Sequence, residues 1–362
     1  MDDELREFYY EGMAELQTGS YEEAIRYFEH IVAVSPDHRS VWMGLGQAWE
    51  GAGKMEEAED AYARAQEIEV APLPEKRERE YVLPWHSPYL SLLPEDENEA
   101  EEFLQRLDGP SRTLQERYHQ HRPVGVDYNN PLVQDAYMFR YFPFYIEILP
   151  HILENLPREV LDPVCQEGMK VALYGCGPAP ELMGLILFLR EAYPGVRHLG
   201  VTCYDQAGWE RWQTRVAGQM AEDYWPGGSV APVRFCPYNI LRDPEVSASS
   251  AVLQTMQNCC TDLLAAGATF TEIKDKVLAL MENALDGSLF ILADVAGLEI
   301  KDLFDYIGKE SAQMGEVLLW PVEGGERYEC SFYIPENVRE HLFQLYNRSA
   351  NHFHSLVLLR RR

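Results

Sequence analysis

Apolar and polar positions in the second half of the chain fall into short runs whose period keeps changing. "KVALYG" (170–175) is a continuous aliphatic and β-branched run closed by glycine, the pattern of a strand buried on both faces. "PELMGLILFLREAY" (180–193) is apolar around most of its circumference and reads as a buried helix. The alternation continues with "RHLGVTCYD" (197–205) as a second strand and "GWERWQTRVAGQM" (208–220) as a helix. "PVRFCPYNI" (232–240) and "SAVLQTMQN" (250–258) read as third and fourth strands, "TEIKDKVLALMENAL" (271–285) as a helix, and "GSLFILADV" (287–295) as a fifth strand. Three late strand-like runs, "GEVLLWPVE", "RYECSFYIP" and "HFHSLVLLRR", close the chain. Alternation with short connections predicts an α/β fold: a doubly wound, mostly parallel seven-stranded sheet ending in an antiparallel hairpin.

The opening residues carry a helical pattern that repeats. Offset by 34 positions, Phe8 falls on Trp42, Gly12 on Gly46, Gly19 on Gly53, Ala24 on Ala58 and Phe28 on Tyr62. Small residues at Gly12/Gly46 and Ala24/Ala58 allow close helix approach, and the aromatics are expected to fill the gap between hairpins. In period and residue type, residues 1–71 resemble a pair of tetratricopeptide repeats, an all-α domain. That resemblance implies a surface that binds peptides or a second copy, or else a structural cap. About three repeats are usually needed for stability, so these hairpins are expected to lean on a following helix or to form a homodimer.

Residues 72–160 are expected to be a linker followed by a helical lid or substrate region. "PLPEKREREYVLPWHSPYLSLLP" (72–94) is dense in proline, and "EDENEAEEFLQRL" resumes a helix. Val133, Tyr137, Tyr141, Phe144, Ile148 and Ile152 then recur at helical spacing, with Pro143 expected to kink or break the run. Within it Tyr137, Arg140, Tyr141 and Tyr145 are candidates for a lid over a ligand, against the plainer reading of an aromatic core stripe.

Composition narrows the function classes. A chain of 362 residues exceeds what one core usually holds. No apolar stretch approaches the roughly 18 residues of a membrane span, and the acidic start "MDDELREF" is unlike a secretory signal, so a cytoplasmic protein is expected. All seven cysteines lie at or after Cys165 without a Cys-x-x-Cys pair, which reads as reduced thiols and no metal site. Net charge is -28, and residues 1–110 hold 27 acidic against 9 basic side chains. Such a field repels phosphate backbones, which excludes nucleic acid as a direct partner and welcomes a basic peptide or protein. The plain alternative is that the acid only keeps helix surfaces soluble.

Gly175-Cys176-Gly177 ends the first strand and opens the buried helix, and Asp205 ends the second strand 28 residues after Gly177. Ligands of such sheets lie beyond the strand carboxyl ends. A glycine turn there lets a ligand approach backbone amides, and the acid can accept from ribose hydroxyls. A dinucleotide and S-adenosylmethionine both meet these two features. The dinucleotide pattern wants a third glycine at position 180, where Pro180 stands. Together with the late hairpin, residues 161–362 are similar to class I S-adenosylmethionine-dependent methyltransferases, a Rossmann-like family.

The resemblance implies that cofactor and a set of residues around it. Tyr174, Gly175 and Gly177 would form the glycine motif, Asp205 with Gln206 the ribose end, and Tyr238 or Asn239 the adenine edge. Gln257 and Asn258, after the fourth strand, would face the transferable methyl group. Tyr137, Arg140 and Tyr141 would close the site, Tyr141 beside the chemistry. The sequence departs from the family pattern at Leu173, where an acid is common, at Ala179, usually glycine, and at Asn239, usually an acid. Asn129-Asn130-Pro131-Leu132 is a partial match to the Asn-Pro-Pro-Tyr loop of amino-group methyltransferases, without its second proline and its aromatic.

Methyl transfer is an in-line displacement that needs positioning more than covalent catalysis, in keeping with a chain that has no His-Glu-x-x-His and no Gly-x-Ser-x-Gly. Asp294, His119 and His121 are the candidates for a general base. The expected function is methyl transfer to a peptide, protein or small-molecule acceptor. Neither a paired-glutamate loop nor a Thr-His-Trp marks protein-arginine methylation. The alternatives are a nucleotide-dependent oxidoreductase and a non-catalytic tetratricopeptide scaffold or sensor with a degenerate cofactor site.

Overall fold

The computed structural model describes residues 20–36, 39–67, 96–119, 126–244, 250–322, 324–329 and 350–361, with scattered positions before residue 20. The chain divides into two compact units, Met1–Glu80 and Tyr81–Arg362.

In the first unit, α1 (Tyr21–Val34), α2 (Arg39–Gly51) and α3 (Met55–Glu67) follow helical positions that include Phe8 and Gly12. Their packing is aromatic ring on glycine. A Cβ added at Gly12 would lie 3.0 Å from Phe28 Cε1, one at Gly44 2.9 Å from Phe28 Cζ, and one at Gly46 2.4 Å from Tyr62 Cε1. Phe28 thus spans its own hairpin and the next, whereas Tyr62 packs inside the second hairpin instead of in the gap between hairpins. Gly19 and the proline-rich segment 72–94 lie outside the described residues.

Tyr62 is also tethered by its hydroxyl, which donates to Glu50 Oε2 at 2.8 Å, so the ring cannot swing away freely. Gly46→Ala is therefore expected to destabilise the first unit by about 1–2 kcal/mol, although alanine is the better helix former. A thermal melt of the full chain, followed by circular dichroism, reads this as a lowered first-unit transition; a raised one would contradict the packing.

The second unit begins with helices α4 (Glu97–His119), α5 (Pro131–Arg140), α6 (Phe142–Ile146), α7 (Ile148–Glu154) and α8 (Arg158–Leu161). Pro143 sits in the first turn of α6, so the expected break falls at Tyr141. Then come β1 (Met169–Tyr174), α9 (Pro180–Ala192), β2 (His198–Asp205), α10 (Glu210–Arg215), a π-helical turn (Val216–Met220), α11 (Ala221–Tyr224) and β3 (Ser229–Pro237). The chain continues through β4 (Leu253–Gln257), α12 (Cys260–Ala265), α13 (Phe270–Glu282), β5 (Leu289–Val295), α14 (Leu298–Ser311), β6 (Gly315–Leu319), β7 (Glu326–Glu329) and β8 (Ala350–Arg360).

The sheet runs β3-β2-β1-β4-β5-β8-β6. Strands β1 to β5 are parallel, and β8 inserts antiparallel between β5 and β6. This is the expected doubly wound sheet, with its topological switch between β1 and β4. It has eight strands where seven were expected, because β7 pairs with the start of β8 beside β6. Helix α14 was not anticipated, although Ile300, Leu303, Phe304 and Ile307 are buried at helical spacing along it.

Helices α4 to α8 share one core with the sheet: Leu104, Leu107, Tyr141, Phe144 and Ile152 join Leu173 and Ile186 in a single buried cluster. The described residues of 96–161 thus share the core of the sheet unit. A second cluster, including Tyr174, Tyr204, Val277, Phe290 and Phe304, covers the opposite face of the sheet. Among the described residues no helix is long and apolar enough to cross a membrane.

Candidate functional site

The turn between β1 and α9 sits at the topological switch, and its backbone is left-handed at three alternate positions. Gly175 has φ 59°, Gly177 φ 52° and Ala179 φ 63°. Glycine adopts this region freely, and alanine at a cost of about 1–2 kcal/mol. The two glycines do different jobs. A Cβ at Gly175 would lie 2.5 Å from Cys259 Sγ and 3.3 Å from Ile240 Cδ1, so that glycine permits packing. At Gly177 it would rest against the Trp209 ring in ordinary van der Waals contact, 3.8 Å from Cε2.

The amides of this turn are largely consumed. Gly175 N donates to Tyr204 O, Ala179 N to Cys176 O, and Gly177 N to Asp205 Oδ2, each at 2.7 Å. Pro178 and Pro180 have no N–H. The usual anion site at a helix N-terminus is therefore stripped of most of its donors. In their place stands an acid: Glu181, in the first turn of α9, is fully buried, and neither of its oxygens reaches a hydrogen-bond partner in another residue. Burial raises its carboxyl to about 8, against its own backbone amide and with the help of the Asp205 charge. With its amides spent, the turn offers a pyrophosphate few donors.

Asp205 closes the turn. Besides Gly177 N it accepts from Ala207 N at 2.8 Å, and the Gln206 amide also favours its charged form. Burial pushes its carboxyl up to about 6 in spite of those three amides. Gln213 Nε2 donates to Gly177 O at 2.6 Å and fixes the turn from α10.

Aromatic residues wall the Gly177 side of the turn. Trp209 is buried, with ring centroids 5.5 Å from Tyr137 and 6.1 Å from Tyr128. Tyr141 and Tyr145 continue the wall as a stacked pair at 6.1 Å, and Tyr137 lies 5.4 Å from Tyr141. The segment before α5 is clamped to the loop after Asp205: Gly208 N donates to Asn129 Oδ1 at 3.0 Å and Gln134 Nε2 to Gly208 O at 2.7 Å. Arg211 also pairs with Asp135. In the partial Asn-Pro-Pro-Tyr match, Asn130 caps α5 by accepting from Leu132 N at 3.0 Å. Both asparagines of that motif are thus structural.

The structure brings Gly175, Gly177, Asp205, Gln206, Tyr137 and Asn258 to the strand ends and gives other residues different work. The Tyr174 ring is core, stacked 5.0 Å from Tyr204 with its hydroxyl donating to Gln254 Oε1 at 3.0 Å. Tyr238 is buried beside it, 6.4 Å away, and so is a packing residue rather than an adenine platform. The Asn239 carbonyl oxygen accepts from Leu241 N and Arg242 N, both at 3.1 Å, and its amide donates to Gln206 Oε1 at 3.1 Å. Both lone pairs are engaged, so the adenine bond expected of that carbonyl is closed to it.

Arg140 reaches Ser111 on α4 at 3.2 Å, which makes it a tie within the helical layer. Gln257 donates to Tyr145 O at 2.9 Å and fastens the end of β4 to α6. Its neighbour Asn258 differs: the residue is half-buried with φ 54°, and its two side-chain polar atoms are buried without a hydrogen-bond partner. Asp294 accepts from Thr261 N, Thr261 Oγ1 and Val295 N at 3.0, 2.7 and 2.8 Å, so it anchors the start of α12. Burial holds its carboxyl near 6. The His119 side chain and His121 lie outside the described residues.

Glu181, Trp209 and Gln134 were missed in the sequence. Trp209 stands four residues after Asp205, and its position alone pointed to the site. Glu181 looked like an ordinary first-turn acid, favourable at any helix N-terminus.

Residues 9–72 match the tetratricopeptide-repeat family model, and the first unit is a tetratricopeptide-repeat domain. No curated protein sequence matches the chain. Among solved structures it is similar to the plantazolicin methyltransferase BpumL in complex with S-adenosylhomocysteine, at 12% identity over 72% of this chain and 99% of that one, with a TM-score of 0.34. It is also similar to an S-adenosylmethionine-dependent methyltransferase from Methanosarcina mazei, at 11% identity over 56% of this chain and 96% of that one, with a TM-score of 0.35. A third likeness is to the N-methyltransferase NodS from Bradyrhizobium japonicum, at 11% identity over 60% of this chain and 99% of that one, with a TM-score of 0.30.

Proposed function

We propose that the second unit is a methyltransferase that binds S-adenosylmethionine where β1 and β2 end. One observation carries this reading. The turn at the switch point spends its amides internally, which disfavours a pyrophosphate. The left-handed turn at Gly177 beside Trp209 and the acceptor oxygens of Asp205 suit an adenosine-bearing amino acid. Bound there, the cofactor supplies a methyl group activated on positive sulfur. Asp205 accepts from the ribose hydroxyls, and Trp209, Tyr137 and Tyr128 exclude water from the reacting side.

Asn258, with its side-chain amide unsatisfied, orients an acceptor by hydrogen bonding. An acceptor bearing an amine or amide suits it, on a peptide, a protein or a small molecule. The acidic first unit favours a basic peptide among these.

Calorimetric titration of the full chain tests the reading. Micromolar binding of S-adenosylmethionine and S-adenosylhomocysteine is expected, with none of NAD. Asp205→Ala should weaken both by about 100-fold, the loss of charge-assisted hydrogen bonds worth about 2.7 kcal/mol. Binding of NAD in preference to the sulfonium compound overturns it.

A further inference from the structure

Trp209 lies across the glycine turn and is itself shut in. A Cβ at Gly177 would meet its indole at Cε2, Cζ2 and Nε1, at 3.8, 3.9 and 4.0 Å, so the ring rests on that face of the turn. Trp209 is 3% exposed, although its neighbours Gly208, Glu210 and Arg211 are exposed. The chain entering α5 covers it, with Tyr128 at 6.1 Å and Tyr137 at 5.5 Å between ring centroids. Residues 129–132 are exposed, and burial resumes at Val133. The cover is thus a surface strap that turns Val126 and Tyr128 inward and is anchored in the core through α5.

One buried amide fastens the strap to the loop that carries Trp209. Gln134 is 4% exposed, in the anchored part of α5, and its Nε2 donates to Tyr128 O in the strap at 2.9 Å and to Gly208 O in the loop at 2.7 Å. Gly208 N donates in turn to Asn129 Oδ1 at 3.0 Å, and Arg211 pairs with Asp135. The strap tip keeps its own bonds, Asn129 N to Asp127 Oδ1 at 3.0 Å and Asn130 N to Asp127 O at 3.1 Å, so it can lift as a unit. Each neutral bond across the seam adds little net stability, and segments held this way open on their own. Resting on the methyl-donor reading above, we propose that residues 126–132 and the Trp209 loop form a gate over the glycine turn, shut in this structure, with Gln134 as its latch. A ligand reaching Gly177 past Trp209 enters when the strap lifts and the indole moves aside, and the shut gate then keeps water from it. Gln134 is a positioning residue: it holds the two flaps and does not touch the ligand.

A latch that closes the empty and the loaded protein equally slows entry and exit alike, so weakening it speeds both and leaves affinity in place. Stopped-flow binding of S-adenosylhomocysteine to the full-length chain, followed by tryptophan fluorescence, measures the two rates. Hydrogen exchange of residues 206–211 without ligand measures the opening itself. Gln134→Met removes both donors at nearly constant volume. Asn129→Ala removes one acceptor from an exposed position, which keeps the test valid if the buried substitution disturbs folding. Gln134→Met should raise both rate constants and the exchange by about 10-fold, and Asn129→Ala by about 3-fold, with Kd within about twofold of the wild type in each. Unchanged exchange and rates in both variants overturn the gate and leave the methyl-donor reading intact. Faster exchange with unchanged binding rates also overturns it, because the strap then opens away from the ligand's path. Faster dissociation alone, with Kd weakened to match, overturns it in favour of a fixed site wall. A wild type that binds neither S-adenosylmethionine nor S-adenosylhomocysteine removes the underlying reading, and the gate with it.

Discussion

Gly184→Ala in α9 is expected to destabilise the second unit by about 3 kcal/mol or more, against the direction that helix propensity predicts. Alanine is favoured over glycine in a helix interior by about 1 kcal/mol. A Cβ at this position, however, would lie 2.2 Å from Ile146 O and 2.8 Å from Pro150 Cδ. The first is backbone and the second a ring closed onto backbone, so neither can rotate aside. To admit the methyl group, α9 must move off α6 and α7, opening the cluster that contains Ile146, Leu149 and Ile186. Overpacking a well-filled core typically costs about 1–3 kcal/mol, and more where the obstacle is rigid. Gly195→Ala provides the control: nothing lies within 4 Å of its added Cβ, and that change should be neutral or stabilising by up to about 1 kcal/mol. Urea unfolding of the two variants measures both effects. A Gly184→Ala midpoint equal to that of the wild type would mean that the helices do not approach so closely.

The second large effect is a dependence of stability on pH centred on Glu181. Its carboxyl is raised from 4.5 to about 8 by burial. At pH 7 the folded protein therefore holds a proton there that the unfolded chain has released. Stability is full below about pH 4.5 and falls as pH rises toward 8, because the unfolded chain binds fewer protons across that window. The gap corresponds to about 5 kcal/mol at its limit, at 1.36 kcal/mol per unit. Cys176 and Tyr137, which face the group, stay neutral throughout, both pushed far up by burial. Asp205 and Asp294, each raised to about 6 by burial, add slope in the same direction at lower pH.

Glu181→Gln removes one contribution and keeps the other two. It should match the wild type within about 1 kcal/mol at pH 5 and exceed it by about 3–4 kcal/mol at pH 8. Denaturant midpoints at the two pH values read the difference, and parallel pH profiles for the two proteins would sink the assignment.

Much of the architecture was legible because it rests on local rules. The aliphatic run ending at Gly175 and the acid at Asp205 locate the turn and the second strand end, since a buried parallel strand has few other compositions. The 34-residue offset exposed the repeats, because each glycine and aromatic serves the same contact twice. Helix α14 shows where a legible signal was passed over, its apolar positions masked by the charges of "LEIKDLFDYIGKES". The roles of individual site residues were less accessible. Tyr174 and Gln257 alternate with ligand-facing positions, and the face each strand presents depends on which layer covers it. Asn239 looked free to bond an adenine, but its oxygen closes the local turn with Leu241 and Arg242.

Residue types and their order determined by themselves that this chain joins helical repeats to a parallel sheet with a glycine turn at its switch point. Propensity, periodicity and the conformational freedom of glycine act over a few residues, and no partner is needed to read them. Only the tertiary structure decided how few donors that turn keeps for a ligand. That outcome depends on where Asp205 and two prolines meet in three dimensions, because amide donors count only when unspent.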